Sequence, residues 1–281
     1  MPAASLAATT SVATGGRRAL RRGTKVVLLR AALILALLLV WEAMTGGLGL
    51  GWKVFETAIV ARPSAIARDF GDYARTGLLV RDLRTTLSEA FLGLFLGAAG
   101  GIAVGILFGY LALAAEVFEP IMVALNSLPR ITVAPIIILW FGLGMTSKVV
   151  LSLFTVFFVI FFNTFLGVRS VDPELVRAVR AMGGGPRDVI RMVVVPSVAS
   201  WIFAALRTSV SFALSGAVVG EFVGSTNGLG YRMLLAAGLL RTERVFAIML
   251  LLMVVGVSLV ELSRRAERYL LRWRPASAEM G

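Results

Sequence analysis

The sequence predicts an all-α integral membrane protein with six transmembrane helices. Three observations carry this. The 281 residues are 58% hydrophobic, with a mean hydropathy of +0.88, well above an ordinary soluble domain. Several apolar runs approach the roughly 20 residues that a bilayer span needs. Short arginine-bearing segments separate these runs, so we read one integrated bundle and no soluble domain.

Residues 1–16 are small and polar and are expected to be disordered; with Arg17, Arg18, Arg21, Arg22 and Lys25 they make a basic tail over 1–25. An apolar run follows over 26–45. A basic cluster before an apolar run also describes a signal peptide. This run is long for one, and no small-x-small cleavage site follows, so a retained first span is expected. Segment 46–84 carries Lys53, Arg62, Arg68, Arg75, Arg81 and Arg84, partly offset by Glu56, Asp69, Asp72 and Asp82. After Pro63-Ser64, residues Ile66, Phe70 and Tyr73 recur at helical spacing, which predicts a helix on the membrane surface.

The second span is expected over 85–111, with Gly93, Gly97, Gly101, Gly105 and Gly109 each four apart. On a helix they form one smooth groove that lets a neighbouring backbone approach, either as static packing or as a sliding surface. The third span, 118–143, contains Pro129 and Pro135. The fourth, fifth and sixth cover 149–168, 197–223 and 245–264, closing a six-helix domain over 26–264. The C-terminal tail is 265–281, and Arg264, Arg265, Arg268, Arg272 and Arg274 mark its side as cytoplasmic. An even number of spans puts the N-terminus there too, together with the 169–196 loop.

That loop is patterned. Asp172, Pro173 and Glu174 read as N-cap, first-turn proline and an acid suited to the helix dipole. A helix over 173–182 would put Leu175, Val176, Val179 and Met182 on one face, with Arg177 and Arg180 off it. Glycines 183–185 stop it and permit left-handed backbone. Pro186 can start a second short helix, with Val189, Ile190, Val193 and Val194 apolar and Arg187 and Arg191 outside. Two amphipathic helices on a glycine joint suit docking of a soluble partner; a solvated loop remains the alternative.

Composition excludes several chemistries. The chain has no Cys and no His, so disulfides, Cys/His zinc sites and a Ser-His pair are impossible. Its three lysines, Lys25, Lys53 and Lys148, all follow non-glycine residues, so no P-loop exists to bind ATP. No carboxylate cluster is expected at mid-membrane. The chain reads as a non-enzyme without a cofactor of its own.

Arg130 and Arg207 fall near the middle of the third and fifth spans. A charge there costs a few kcal/mol and should face the interior. Arg207, Ser211 and Ser215 form a stripe at four-residue spacing, with Glu221 in the same broad sector and Asn163 a further polar candidate. These are the candidate pathway residues, with a positive potential suited to an anion; a structural ion pair or carbonyl clamp is the alternative.

Three segments, PRITVAPIIILWFGLG (129–144), GEFVGSTNGLGYRM (220–233) and LLRTERVFA (239–247), resemble the nitrate/sulfonate/taurine branch of ABC importer permeases. The loop adds to the resemblance. The family signature is Glu-Ala-Ala, three residues, Gly, nine residues, Ile-x-Leu-Pro. Here Arg177-Ala178-Val179, Gly183 and Val193-x-Val195-Pro196 stand at that spacing. Arg177 stands where the family has glutamate, and Glu174 lies one turn earlier.

The resemblance implies an importer permease that moves a small solute by alternating access, such as a sulfonate, taurine, nitrate or carboxylate. It implies two cytoplasmic ATPase subunits that hold ATP and Mg, a second permease copy, an external substrate-binding protein and a bacterial inner membrane. It makes 172–196 a coupling loop, with Glu174, Arg177, Ala178, Val179, Arg180, Gly183, Gly184, Arg187 and Pro196 as its contact residues. The rival reading is a secondary transporter or channel that works without ATP.

Overall fold

The computed structural model describes residues 5–47 and 59–270, with side chains from residue 25 onward. Lys53, Glu56, Arg272 and Arg274, and the side chains of Arg17, Arg18, Arg21 and Arg22, lie outside the described residues. The elements are α1 (Ser5–Met44), α2 (Pro63–Arg75), α3 (Leu78–Tyr110), α4 (Ala112–Asn126), α5 (Arg130–Phe141), α6 (Met145–Arg169), α7 (Pro173–Ala181) and α8 (Pro186–Val189). A π-helical turn, Ile190–Val194, leads into α9 (Val195–Gly224), α10 (Leu229–Gly238) and α11 (Thr242–Leu270).

Five stretches are long and apolar enough to span a bilayer: Lys25–Met44, Leu78–Tyr110, Met145–Arg169, Pro186–Gly224 and Thr242–Leu270. The sixth is a broken pair, Leu113–Asn126 and Arg130–Phe141, bent by 96°. The all-α, multi-span expectation holds, with four corrections. Helix begins at Ser5 rather than after a disordered tail, as the good helix formers Ala, Leu and Arg allow. α3 starts at Leu78, seven residues earlier than expected, which draws Asp82 into the bundle. The third span is an elbow, because Pro129 has no N–H and disfavours helical backbone at Leu128. α10 was not anticipated; it is short and lies directly after a span.

The chain divides into two compact units, Met1–Asp69 and Phe70–Gly281. In the first, the Glu42 carboxylate at the end of α1 caps the start of α2, accepting from Ser64 N at 3.0 Å and Ser64 Oγ at 2.7 Å. An anion at a helix N-terminus meets unsatisfied N–H groups and the positive end of the dipole. Arg62 Nε donates to the Thr45 carbonyl at 3.0 Å in the same turn.

In the second unit α3 and α6 run parallel, pressed together along the glycine groove. A Cβ added at Gly97 would lie 2.8 Å from the Leu153 carbonyl, and one at Gly101 2.8 Å from the Phe157 carbonyl. Gly93, Gly105 and Gly109 meet Ser152, Thr164 and Val168 in the same way. α6 therefore fills the groove, and dispersion along the close backbones replaces the hydrophobic drive that lipid cannot supply. α9 packs antiparallel against α6, with Gly216 on Ser152 and Gly220 on Lys148. Ala90, Val156, Ile160, Ala213 and Ala217 form the core between the three helices.

The 170–194 segment follows its predicted pattern. Asp172 Oδ1 accepts from Glu174 N at 2.8 Å as N-cap. Gly183 takes φ +84°, and Gly184 N donates to Val179 O at 3.0 Å. Val176 and Val179 pack on a cluster of Val168, Val189, Val194 and Val198. The expected apolar faces seat only in part. Leu175 and Met182 are 51% and 78% exposed, because a nine-residue helix turns only its central valines toward the bundle. Ile190 is also exposed, since the π turn shifts the register by a residue.

Candidate translocation site

The far end of the bundle, opposite the 170–194 segment, holds a buried polar network. Asp82, Thr86 and Glu89 line one face of α3, Lys148 starts α6 and Glu221 ends α9; all five are buried. Three consecutive N–H groups opening α10 find separate acceptors. Gly228 N donates to Asp82 Oδ1 at 3.2 Å, Leu229 N to Thr86 Oγ1 at 2.9 Å and Gly230 N to Glu221 Oε2 at 2.5 Å. Thr86 Oγ1 also donates to Glu221 Oε1 at 2.7 Å. Asp82 Oδ2 accepts from Arg232 Nε at 2.9 Å and from the Tyr73 hydroxyl at 2.6 Å.

α10 is thus clamped by two carboxylates at the positive end of its dipole. Arg244 lies 4.4 Å from the Tyr73 ring. Burial, then the Asp82 hydrogen bond, pushes the Tyr73 hydroxyl well above its ordinary pKa, so it stays a donor. Lys148 Nζ donates to the Leu143 and Gly144 carbonyls in the α5–α6 turn.

A second polar feature lies at the elbow. Arg130 is the first residue of α5, and its guanidinium sits 5.0 Å from the Phe212 ring. With Thr155 and Ser215 it lines a cavity of about 140 Å³. Among the described residues no carboxylate pairs with Arg130. The other pathway candidates go elsewhere. Arg207 pairs with Glu267 of α11 at 3.4 Å, a helix-to-helix tie. Ser211 opens on a groove of about 370 Å³ beside α11, not on the Arg130 cavity. The stripe splits because four-residue steps drift about 40° around a 3.6-residue helix. Asn163 Nδ2 donates to Val159 O of its own helix at 2.8 Å. Glu221 belongs to the clamp.

Known proteins agree with this architecture. Residues 89–270 match the model of the binding-protein-dependent transport system inner membrane component. The chain belongs to that family. This permease is 34% identical over 254 residues to the putative aliphatic sulfonates transport permease SsuC of Bacillus subtilis (strain 168), covering 90% of the chain and 89% of SsuC. It is 31% identical over 240 residues to the riboflavin transport permease RibX of Chloroflexus aurantiacus, covering 85% and 88%. An inward-facing structure of the MetNI methionine ABC transporter shares the fold, with a TM-score of 0.58 at 23% identity over 69% of this chain and 95% of that one.

The permease is therefore a multi-pass membrane subunit of an ABC importer, not an enzyme. The sequence reading excluded a carboxylate cluster only at mid-membrane; buried Asp82, Glu89 and Glu221 belong instead to the far end of the bundle. No group of metal-binding side chains occurs among the described residues. Sequence reasoning missed Tyr73, Asp82, Thr86, Glu89, Lys148 and Arg232 as network members. A signal existed for three of them. Asp82, Thr86 and Glu89 continue the glycine face that starts at Gly93, so they share the stripe that turns inward.

Proposed function

We propose that this permease forms the membrane pathway of an ATP-driven importer for a small organic anion, such as a sulfonate. Arg130 carries the substrate reading: a guanidinium beside a cavity, with no neutralising carboxylate among the described residues, is an anion site in waiting. The far end then faces outward to a substrate-binding protein, and both termini and the 170–194 segment face the cytoplasm of a bacterial inner membrane. A second permease copy completes the pathway. ATP and Mg belong to two separate ATPase subunits.

In this reading α7 and α8 carry the motion of those subunits into the bundle. Val168 ends α6 and Val198 begins α9, and the α7 valines are packed on both. A push on α7 therefore reaches two spans at once. Glu174, Arg177, Ala178, Arg180 and Arg187 offer the contact surface, with Gly183 and Gly184 shaping the turn and Pro196 opening α9. Alternating access follows if the ATPase pair binds the two permease states unequally.

Two expected results test this in proteoliposomes holding permease, ATPase and binding protein. Arg130→Gln lowers ethanesulfonate uptake at least about tenfold, the scale of one charged hydrogen bond, with complex assembly unchanged. Normal uptake would remove Arg130 from the pathway. Gly183→Pro places a ring that requires a φ of about −65° where the chain takes +84°. Uptake and substrate-stimulated ATP hydrolysis should fall together. ATP-independent uptake by permease alone would favour a secondary transporter.

A further inference from the structure

The groove of about 370 Å³ that Ser211 opens on follows one face of α11. Leu252, Met253, Gly256, Val257 and Val260 form its apolar length, and Arg264 closes one end. We propose that it seats an acyl chain of an anionic phospholipid, with the phosphate held at the arginine end. The proposal is independent of the importer reading; it requires only that α11 cross a bilayer.

Spacing makes the groove. Positions 252, 256, 260 and 264 recur every four residues and share a helix face. Gly256 notches that face. A Cβ added there would meet Leu214 Cδ2 of α9 at 3.8 Å and nothing closer, so the notch is room left beside α9, not a packed seam like the one at Gly101. Met253 and Val257 are 58% and 66% exposed, as side chains turned toward lipid are.

Length fits one leaflet. Leu252 and Arg264 are twelve residues apart, about 18 Å at 1.5 Å per residue. Half of the usual hydrocarbon core is about 15 Å. A chain laid along the groove therefore brings its headgroup level with Arg264.

Charge selects the headgroup. Glu261 stands among three guanidiniums, Arg264 at 3.6 Å, Arg265 at 3.2 Å and Arg268 at 3.5 Å. One carboxylate against three cations leaves positive charge in excess. These arginine side chains are 54%, 70% and 68% exposed, and such open pairs hold weakly. The other acid on this stretch, Glu267, is matched by Arg207. A guanidinium fork fits a phosphate through two parallel hydrogen bonds. A zwitterionic headgroup brings its own cation and gains less. A second copy of this chain is the poorer occupant, because a two-fold contact through this face sets one arginine cluster against the other.

The test is native mass spectrometry of the full-length permease in detergent, with dioleoylphosphatidylglycerol and dioleoylphosphatidylcholine offered in equal amounts. Phosphatidylglycerol should be retained at least about tenfold more, the scale of one charged hydrogen bond. Arg264→Gln with Arg268→Gln should remove that preference and leave phosphatidylcholine retention as it was. Gly256→Leu should lower retention of both lipids, because its side chain fills the notch. The arginine variant changes only exposed side chains, so it reads out even if Gly256→Leu fails to fold. Glycerol 1-phosphate, a headgroup phosphate without a chain, should not displace the lipid at the same concentration. Equal retention of the two lipids, a preference that survives the arginine variant, or displacement by glycerol 1-phosphate would overturn the proposal. So would a Gly256→Leu variant that splits a dimer with lipid retention unchanged, which gives the groove to a second copy.

Discussion

Asp82→Ala should cost this permease about 3–5 kcal/mol of stability, the penalty for stranding one partner of a buried ion pair. Asp82 is fully buried and holds Arg232, the Tyr73 hydroxyl and the Gly228 N–H at once. Alanine leaves all three without that acceptor, with Tyr73 fully buried and Arg232 only 20% exposed. A lowered thermal midpoint of the detergent-solubilised protein is the measurement. Two companions separate charge from packing. Asp82→Leu with Arg232→Met removes both ions and should recover part of the loss, because the desolvation cost disappears with the pair. Tyr73→Phe removes one hydrogen bond and should cost about 1 kcal/mol. A wild-type midpoint in Asp82→Ala would show that α10 needs no clamp.

Gly101→Leu should be at least as damaging. A Cβ there meets the Phe157 carbonyl at 2.8 Å and Ile160 Cβ at 2.9 Å. Backbone cannot swing aside as a long side chain can, so α3 and α6 must part along the seam. Overpacking costs about 1–3 kcal/mol even where side chains can yield; here the contacts of neighbouring turns go as well. The expected result is little or no monodisperse protein, with Gly101→Ala intermediate. Gly71→Ala is the control, since nothing lies within 4 Å of its would-be Cβ. Removing a helical glycine there should leave stability unchanged or raise it by up to about 1 kcal/mol. Equal effects at Gly71 and Gly101 would mean that loss of glycine itself, not the seam, is what matters.

The 170–194 segment shows how far local rules reach. Asp172, Pro173 and Gly183 each act within one or two turns, and each appears where its chemistry predicts. Local rules failed at the elbow only in degree. Pro129 was visible, but the 96° bend depends on what α5 packs against. They failed outright at α10, whose capping acceptors come from α3 and from the end of α9. Thr86 and Glu221 are 135 residues apart, and no window along the chain contains both.

Composition and periodicity alone determined that this protein crosses a membrane as helices, that α3 carries a groove and that a capped, glycine-jointed segment lies between two spans. Those properties depend on residue type and on spacing within a helix, and both can be read along one dimension. Tertiary structure alone decided that Arg207 is tied to Glu267, that Arg130 has no carboxylate partner among the described residues and that Asp82, Thr86 and Glu221 cap α10. A buried charge takes its meaning from the groups packed against it, and in this bundle those groups come from other helices.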